Sequence, residues 1–324
     1  MRVELTDDAR AFVAHDWSPL VERDPSGTFF HTPAYLKLWW EEFGSGQLVV
    51  ARARDGREDV AACVFEIVGP ELRFLGGFDV TDYMGPVGLS GSRDAVAAAM
   101  LEGVESLSWS QADLRGLPED SAWLAALSRA AGERGLRVRE TDDGVAPILP
   151  LPPRRDDYLH QLAPKLRHEI RRKQRRLVQE AGDYRITLST PDTVQRDLDA
   201  FFELHRASPG PKGRFMHTSM EIFFRRLADA FLGSHVFHVA FLELGGKKAA
   251  GAVGFDYGRT FSLYNSAFDR EFAHLSPGIV LVANLIGEAI DNGRELFDML
   301  KGDLEYKYRL GARPRRVRAL VVDR

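Results

Sequence analysis

From His235 onward the order of elements leaves few folds open. HVFHVAFLEL and AAGAVGFDYG read as two strands joined at Gly245-Gly246, and FSLYNSAF as a third. Ser276-Pro277-Gly278 then introduces an apolar helix that stops near Asp291, where Asn292-Gly293 suits a C-cap. RELFDML is the next strand. Asp303 to Leu310 reads as a short basic, Tyr-rich helix with Asp303 as N-cap, and VRALVVD closes the run as a last strand. Such alternation requires a mixed, largely covered sheet. Its reactive groups would gather at the carboxyl end of one strand, where open α/β sheets hold ligands.

The first half runs through the same order. FFHTPAYLKLWWEEFG opens it as a helix, with Thr32 as cap, Pro33 in the first turn and an apolar stripe of Leu36, Trp39, Trp40 and Phe43. QLVVARA, VAACVFEIV and ELRFLGG are strands, the first two joined at Asp55-Gly56. A helix over 94–109, the strand DLRGL, a helix over 121–134 and the strand LRVRE complete it. The pattern is β-β-β-α-β-α-β in both halves, with no matching sequence. The Pro-rich stretch APILPLPP separates them as a linker or final strand, which gives domains 1–152 and 153–324. Three further helices open the second domain: a long basic one from near Asp156, then 194–206 and 220–232. The Gly/Pro-rich loop ASPGPKGRFMH lies between the last two.

Charge divides along the same line. Residues 1–152 carry 14 Lys and Arg against 25 Asp and Glu, whereas residues 153–324 carry 29 against 22. The second domain is therefore the one fitted to an anionic ligand, a small-molecule or nucleotide-linked substrate; attraction between two oppositely charged domains accounts for the same numbers. The single cysteine, Cys63, excludes an internal disulfide and reads as a small buried hydrophobe. No apolar run reaches the ~20 residues of a membrane span, and MRVELTDDAR lacks a signal-peptide core, so a cytoplasmic protein is expected. No His or Cys set has metal-ligand spacing, so no metal is expected. P-loop, GxSxG and dinucleotide fingerprints are not found.

FFHTPAYLKLWWEEFG, GGFDVTDYMGPV, KLRHEIRRKQRRL, ELHRASPGPKGRF and, most specifically, FDMLKGDLEYKYRLGA together resemble the tandem GNAT architecture of the Fem-type peptidyltransferases. The resemblance is closer still to their CelD-like relatives, GNAT-family acetyltransferases of cellulose and exopolysaccharide loci. It implies an α/β (α+β) fold of two GNAT-like domains in tandem, each a mixed twisted sheet flanked by helices, the first degenerate. It also implies acyl transfer from acyl-CoA or acetyl-CoA, as co-substrate, to an amine or hydroxyl in cell-envelope or polysaccharide metabolism. The donor would sit at Ser276, Gly278 and Ile279 and the acceptor in the cleft between the domains. Where ordinary GNATs carry (Gln/Arg)-x-x-Gly-x-(Gly/Ala), this chain reads REFAHLSPGIV, and Gly278 alone matches. Backbone N–H groups at the helix start would still hold an anion.

Ordinary GNATs often have Tyr-x-x-x-Gly after the strand, the Tyr protonating the leaving thiolate. Four residues before Gly311 stands Lys307 instead, as in the Fem-type pattern. Lys307 would stabilise negative charge on the reacting group from the cleft, and Tyr306 or Tyr308 would supply the proton. Lys301 and Asp303 belong to the same cluster. Arg167, Arg171 and Lys165 lie near one face of the basic helix. They either grip substrate phosphate or form the solvated face of an amphipathic helix. Asp79, Asp82 and Tyr83, bracketed by Gly76-Gly77 and Gly85-Pro86, either bind substrate or shape turns. Asp298 anchors loops, and His205 and His217 flank the cationic loop. Two other functions fit: aminoacyl transfer from charged tRNA, which the basic second half would attract, and a non-catalytic GNAT-fold binding module. DNA is not expected as a partner.

Overall fold

The computed structural model describes residues 1–77 and 79–324. It forms two compact units, Met1–Val145 with Arg315–Arg324, and Ala146–Pro314. The first unit contains β1 (Arg2–Thr6), α1 (Ala11–Ala14), α2 (Ser18–Arg23), α3 (Pro33–Phe43), β2 (Gln47–Asp55), β3 (Glu58–Val68) and β4 (Glu71–Phe74). It continues with β5 (Val87–Gly88), α4 (Arg93–Glu105), β6 (Gln111–Pro118), α5 (Ala122–Glu133) and β7 (Arg137–Val145). The second has β8 (Ile148–Pro150), α6 (Arg155–Gln161), α7 (Pro164–Ala181), β9 (Tyr184–Leu188), α8 (Val194–Arg206), α9 (Pro211–Phe215) and α10 (Thr218–Phe231). It ends with β10 (Phe237–Leu244), β11 (Lys247–Tyr257), β12 (Thr260–Phe268), α11 (Pro277–Asp291), β13 (Leu296–Asp298) and α12 (Glu305–Arg309), after which β14 (Arg316–Asp323) closes the chain.

Local chemistry explains the main elements. Thr32 caps α3 by accepting from the Tyr35 N–H, and Pro33 occupies its first turn. The β10–β11 turn holds Gly245 and Gly246 at φ 53° and 82°, the pair of positive values that a two-residue hairpin demands. β3 and β11 are buried on both faces along most of their length, as their runs of apolar and small residues require. α11 buries residues around most of its circumference, including Val280, Leu281, Leu285, Ile286 and Ile290. Cys63 is buried in the first core, and burial pushes its thiol up.

Each unit has its own mixed sheet, in the expected α/β arrangement. The first runs β1-β2-β3-β4-β6-β14-β7, with β5 beside β3; the second runs β8-β13-β12-β11-β10-β9. Read from β1 and from β9, the two orders match position by position through four antiparallel strands and a parallel one. At the sixth position the halves exchange strands. β8, from the Pro-rich stretch, pairs with β13 in the second sheet. β14, from the chain's end, lies between β6 and β7 in the first. The expected closure of the second domain by VRALVVD is thus corrected, and the division differs from 152/153. A local strand signal carries no information about which sheet receives the strand. Among the described residues no helix is long and apolar enough to cross a membrane.

Candidate functional site

The second unit opens where β12 and β13 part. These parallel strands pair only over Thr260–Ser262 and Leu296–Asp298. β12 then continues along β11 to Phe268, with Tyr264 as the extra residue of a bulge between the Asn265 and Leu263 pairings. The chain after Asp298 turns away. Asp298, 2% exposed, accepts the Leu300 N–H at 2.8 Å, and Leu300 adopts φ 54°. Asp298 is therefore the loop anchor its sequence position indicated.

Lys307 holds that turn from beneath. It is 2% exposed, and its ammonium donates to the carbonyls of Met299, Leu300 and Lys301 at 2.7, 2.8 and 3.1 Å. It lies at the carboxyl end of β13, and the donors expected to act from the cleft are directed at backbone. Lys301 contributes its carbonyl to this set. The helix around it, α12, begins at Glu305 with Leu304 at the N-cap, so the expected start and cap at Asp303 are corrected. Asp303 instead accepts the Tyr308 hydroxyl at 2.5 Å, which pushes that phenol up to about 12. This shorter-range pairing removes Asp303 from the cap. Burial pushes the Tyr306 hydroxyl up, and the Ser266 hydroxyl, on the stretch of β12 that has left β13, opposes that shift.

Two groups near this stretch were not singled out as reactive from sequence. Asn265 Oδ1 lies 2.8 Å from His205 Nε2 on α8. Burial first, and then the charge of Lys212, bring His205 down to about 4, so the ring is neutral near pH 7. Its Nδ1 has no hydrogen-bond partner. Ser266 is the other group. Neither belonged to a recognisable short motif, because α8 and β12 are far apart in sequence.

At the start of α11, Ser276 takes φ 56° and receives the Lys173 Nζ at 3.0 Å on its hydroxyl. Arg172, Lys173, Arg176, His274 and Ser276 surround a recess of about 30 Å³. Pro277 supplies no N–H, and Ile279 N–H is taken by the Ser276 carbonyl at 3.1 Å. Gly278 N–H has no backbone partner among the described residues. Side-chain cations thus stand where a phosphate-binding loop would offer backbone. Ile279 packs against the core.

α7 presents its cations unevenly. Ile170 and Leu177 are buried, and Lys173 reaches α11. Lys165 and Arg171 are exposed and Arg167 half-buried, none of them at the recess. Glu169 lies 3.4 Å from Arg309, tying α7 to α12. In the first unit Tyr83 is buried, with Arg315 Nη2 donating to its hydroxyl at 2.5 Å. Asp79 lines a cavity that Asp82 and Tyr83 do not. Sequence neighbours therefore separate into a core group and a cavity group.

Residues 164–308 match the acetyltransferase (GNAT) domain model. FemX shares 11% identity at a TM-score of 0.71, over 99% of this chain and 97% of that one. The chain is a tandem GNAT-fold protein, built like FemX. A conserved protein of unknown function from Bacteroides thetaiotaomicron VPI-5482 is 17% identical at a TM-score of 0.67, over 99% of this chain and all (100%) of that one. The C-terminal domain (DUF2156) of an Agrobacterium fabrum protein is 12% identical at a TM-score of 0.60, over 98% and 93%. No curated protein gives a significant match. The parting of β12 and β13, the bulge at Tyr264 and the start of α11 all fall within residues 164–308, the span that matches the domain model.

Proposed function

We propose that this tandem GNAT-fold protein transfers an acyl group from acyl-CoA to an amine or hydroxyl acceptor. The observation that carries this reading is the parting of β12 and β13 beside the Tyr306 hydroxyl, together with a cation-ringed helix start at Ser276. The donor's phosphates would lie against Lys173, Arg172 and Arg176, with the Gly278 N–H and the α11 dipole assisting. Its thioester would run along the unpaired edge of β12. Tyr306, kept protonated by burial, would give its proton to the leaving thiolate. Lys307 would act as a positioning residue, fixing the turn over 299–301.

Calorimetric titration of CoA and acetyl-CoA tests this. A charge-assisted contact is worth ~1.5–3 kcal/mol, so Lys173→Ala should weaken binding about ten- to a hundredfold. Failure of the unaltered protein to bind either compound would overturn the reading. Aminoacyl transfer from charged tRNA is the second reading. The exposed cations Lys165, Arg171, Arg172 and Arg175 on α7 favour it. Binding of RNA without binding of CoA would select it.

A further inference from the structure

A cavity of about 460 Å³ lies in the first unit, against α3 and along one face of the parallel strands β4 and β6. Small-molecule sites run from ~300 to 1,000 Å³, and this volume lies in that range. The polar row Glu66, Arg73 and Asp113 crosses three neighbouring strands along one wall. Trp39, Phe43, Phe74 and Met84 supply apolar surface.

Two buried polar atoms on residues lining this cavity have no partner. Trp39 is 5% exposed, and its indole N–H donates to nothing among the described residues. Asp113 accepts Arg115 Nε at 2.7 Å on Oδ2, while Oδ1 is buried and has no partner among the described residues. The second unit has a carboxylate at the same register: Asp113 pairs with Arg73 as Asp298 pairs with Ser262. There Asp298 accepts the turn's Leu300 N–H. In the first unit no N–H of the described residues takes that place.

The lining charges are unbalanced. Glu66, Glu71, Asp79 and Asp113 face Arg73 and Arg115. Glu71 holds Arg73 at 2.8 Å, and Asp113 and Asp143 hold Arg115 at 2.7 and 3.6 Å. Glu66 Oε1 accepts the Ser45 and Gly46 N–H groups. The excess is negative, with a bare acceptor and a bare donor beside aromatic surface. We propose that this cavity binds a small amine: its ammonium faces Asp79 and Asp113, an oxygen acceptor takes the Trp39 indole N–H, and its apolar body packs on Phe74 and Met84. The site belongs to the first unit and does not depend on the acyl-donor reading.

L-phenylalaninamide is a suitable probe because it combines an ammonium, a carbonyl and a ring. Titrated calorimetrically into the full chain, it should bind. Its N-acetyl derivative, which lacks the charge, should bind at least about tenfold more weakly. Asp113→Asn should weaken the amine similarly. Asp79→Asn, at an exposed position where folding is not at stake, should weaken it in the same direction. Trp39→Phe should reduce the affinity of both compounds. No binding of the amine at millimolar concentration, equal binding of amine and N-acetyl derivative, or unchanged binding in both Asp variants would each overturn the proposal.

Discussion

Three backbone carbonyls converge on the Lys307 ammonium inside the core of the second unit. Removing the ammonium leaves those acceptors buried, at ~1–3 kcal/mol for each group left unsatisfied. Lys307→Met should therefore lower stability by at least about 2 kcal/mol, a fall of ~4–8 °C in Tm for a unit of this size. Arg presents a flat fork that does not fit a convergent triad, so Lys307→Arg should not restore it. A lysine acting only on the reacting group would lower kcat and leave Tm unchanged; thermal melting of both variants distinguishes the cases. For Tyr306 the expectation is the reverse. Tyr306→Phe should reduce kcat about a hundredfold if its proton goes to the thiolate. Tyr308→Phe, at a half-buried position paired with Asp303, should leave kcat nearly unchanged. Steady-state rates with acetyl-CoA and a panel of amines would show the contrast. The cluster Lys301 to Tyr308 was legible because it is contiguous. Its orientation was not, because the turn at Leu300 adopts a positive φ that no glycine signals at that position.

Elements were legible where periodicity and turn chemistry agree, as in α3, the β2–β3 and β10–β11 hairpins, and α11 with its Asn292 C-cap. The exchange of β8 and β14 was not, because both are short apolar runs that fit either sheet. It has a consequence for folding: β7 pairs with β14 and, among the described residues, with no other strand. Deleting residues 315–324 should strip β7 and the outer edge of β6 of their hydrogen bonds and remove Arg315 from Tyr83. Hydrogen exchange should then show rapid exchange through β6, β7 and α5, while β10 to β12 stay protected. Equal loss of protection in both units would mean that they fold as one cooperative block.

At the scale of the molecule, each unit contains a buried neutral histidine. His31, held by Thr28 in the first, and His205, held by Asn265 in the second, are both brought down to about 4, in each case chiefly by burial. An unfolded histidine protonates near 6.5, so between pH 6.5 and 4 the unfolded chain binds protons that the folded chain does not. Stability is full above pH 6.5 and falls as pH drops through this window, by about 3 kcal/mol for each group once pH 4 is reached. The paired carboxylates of Glu105 and Asp197, with ordinary values of 4.5 and 3.8 and folded values lower still, lose their contribution only at more acid pH. Glu288, raised by burial above its ordinary 4.5, works in the opposite sense from pH 4.5 upward. Melting between pH 7.5 and 5 therefore reads the histidines, His238 included, against the opposing share of Glu288. The expected result is a falling Tm, with increased exchange in both units. His205→Gln, which does not titrate near neutrality, should reduce the pH dependence of the second unit to the share of His238, also lowered by burial, while leaving that of the first. A Tm independent of pH across that range would show that both rings protonate in the folded protein as readily as in the unfolded chain.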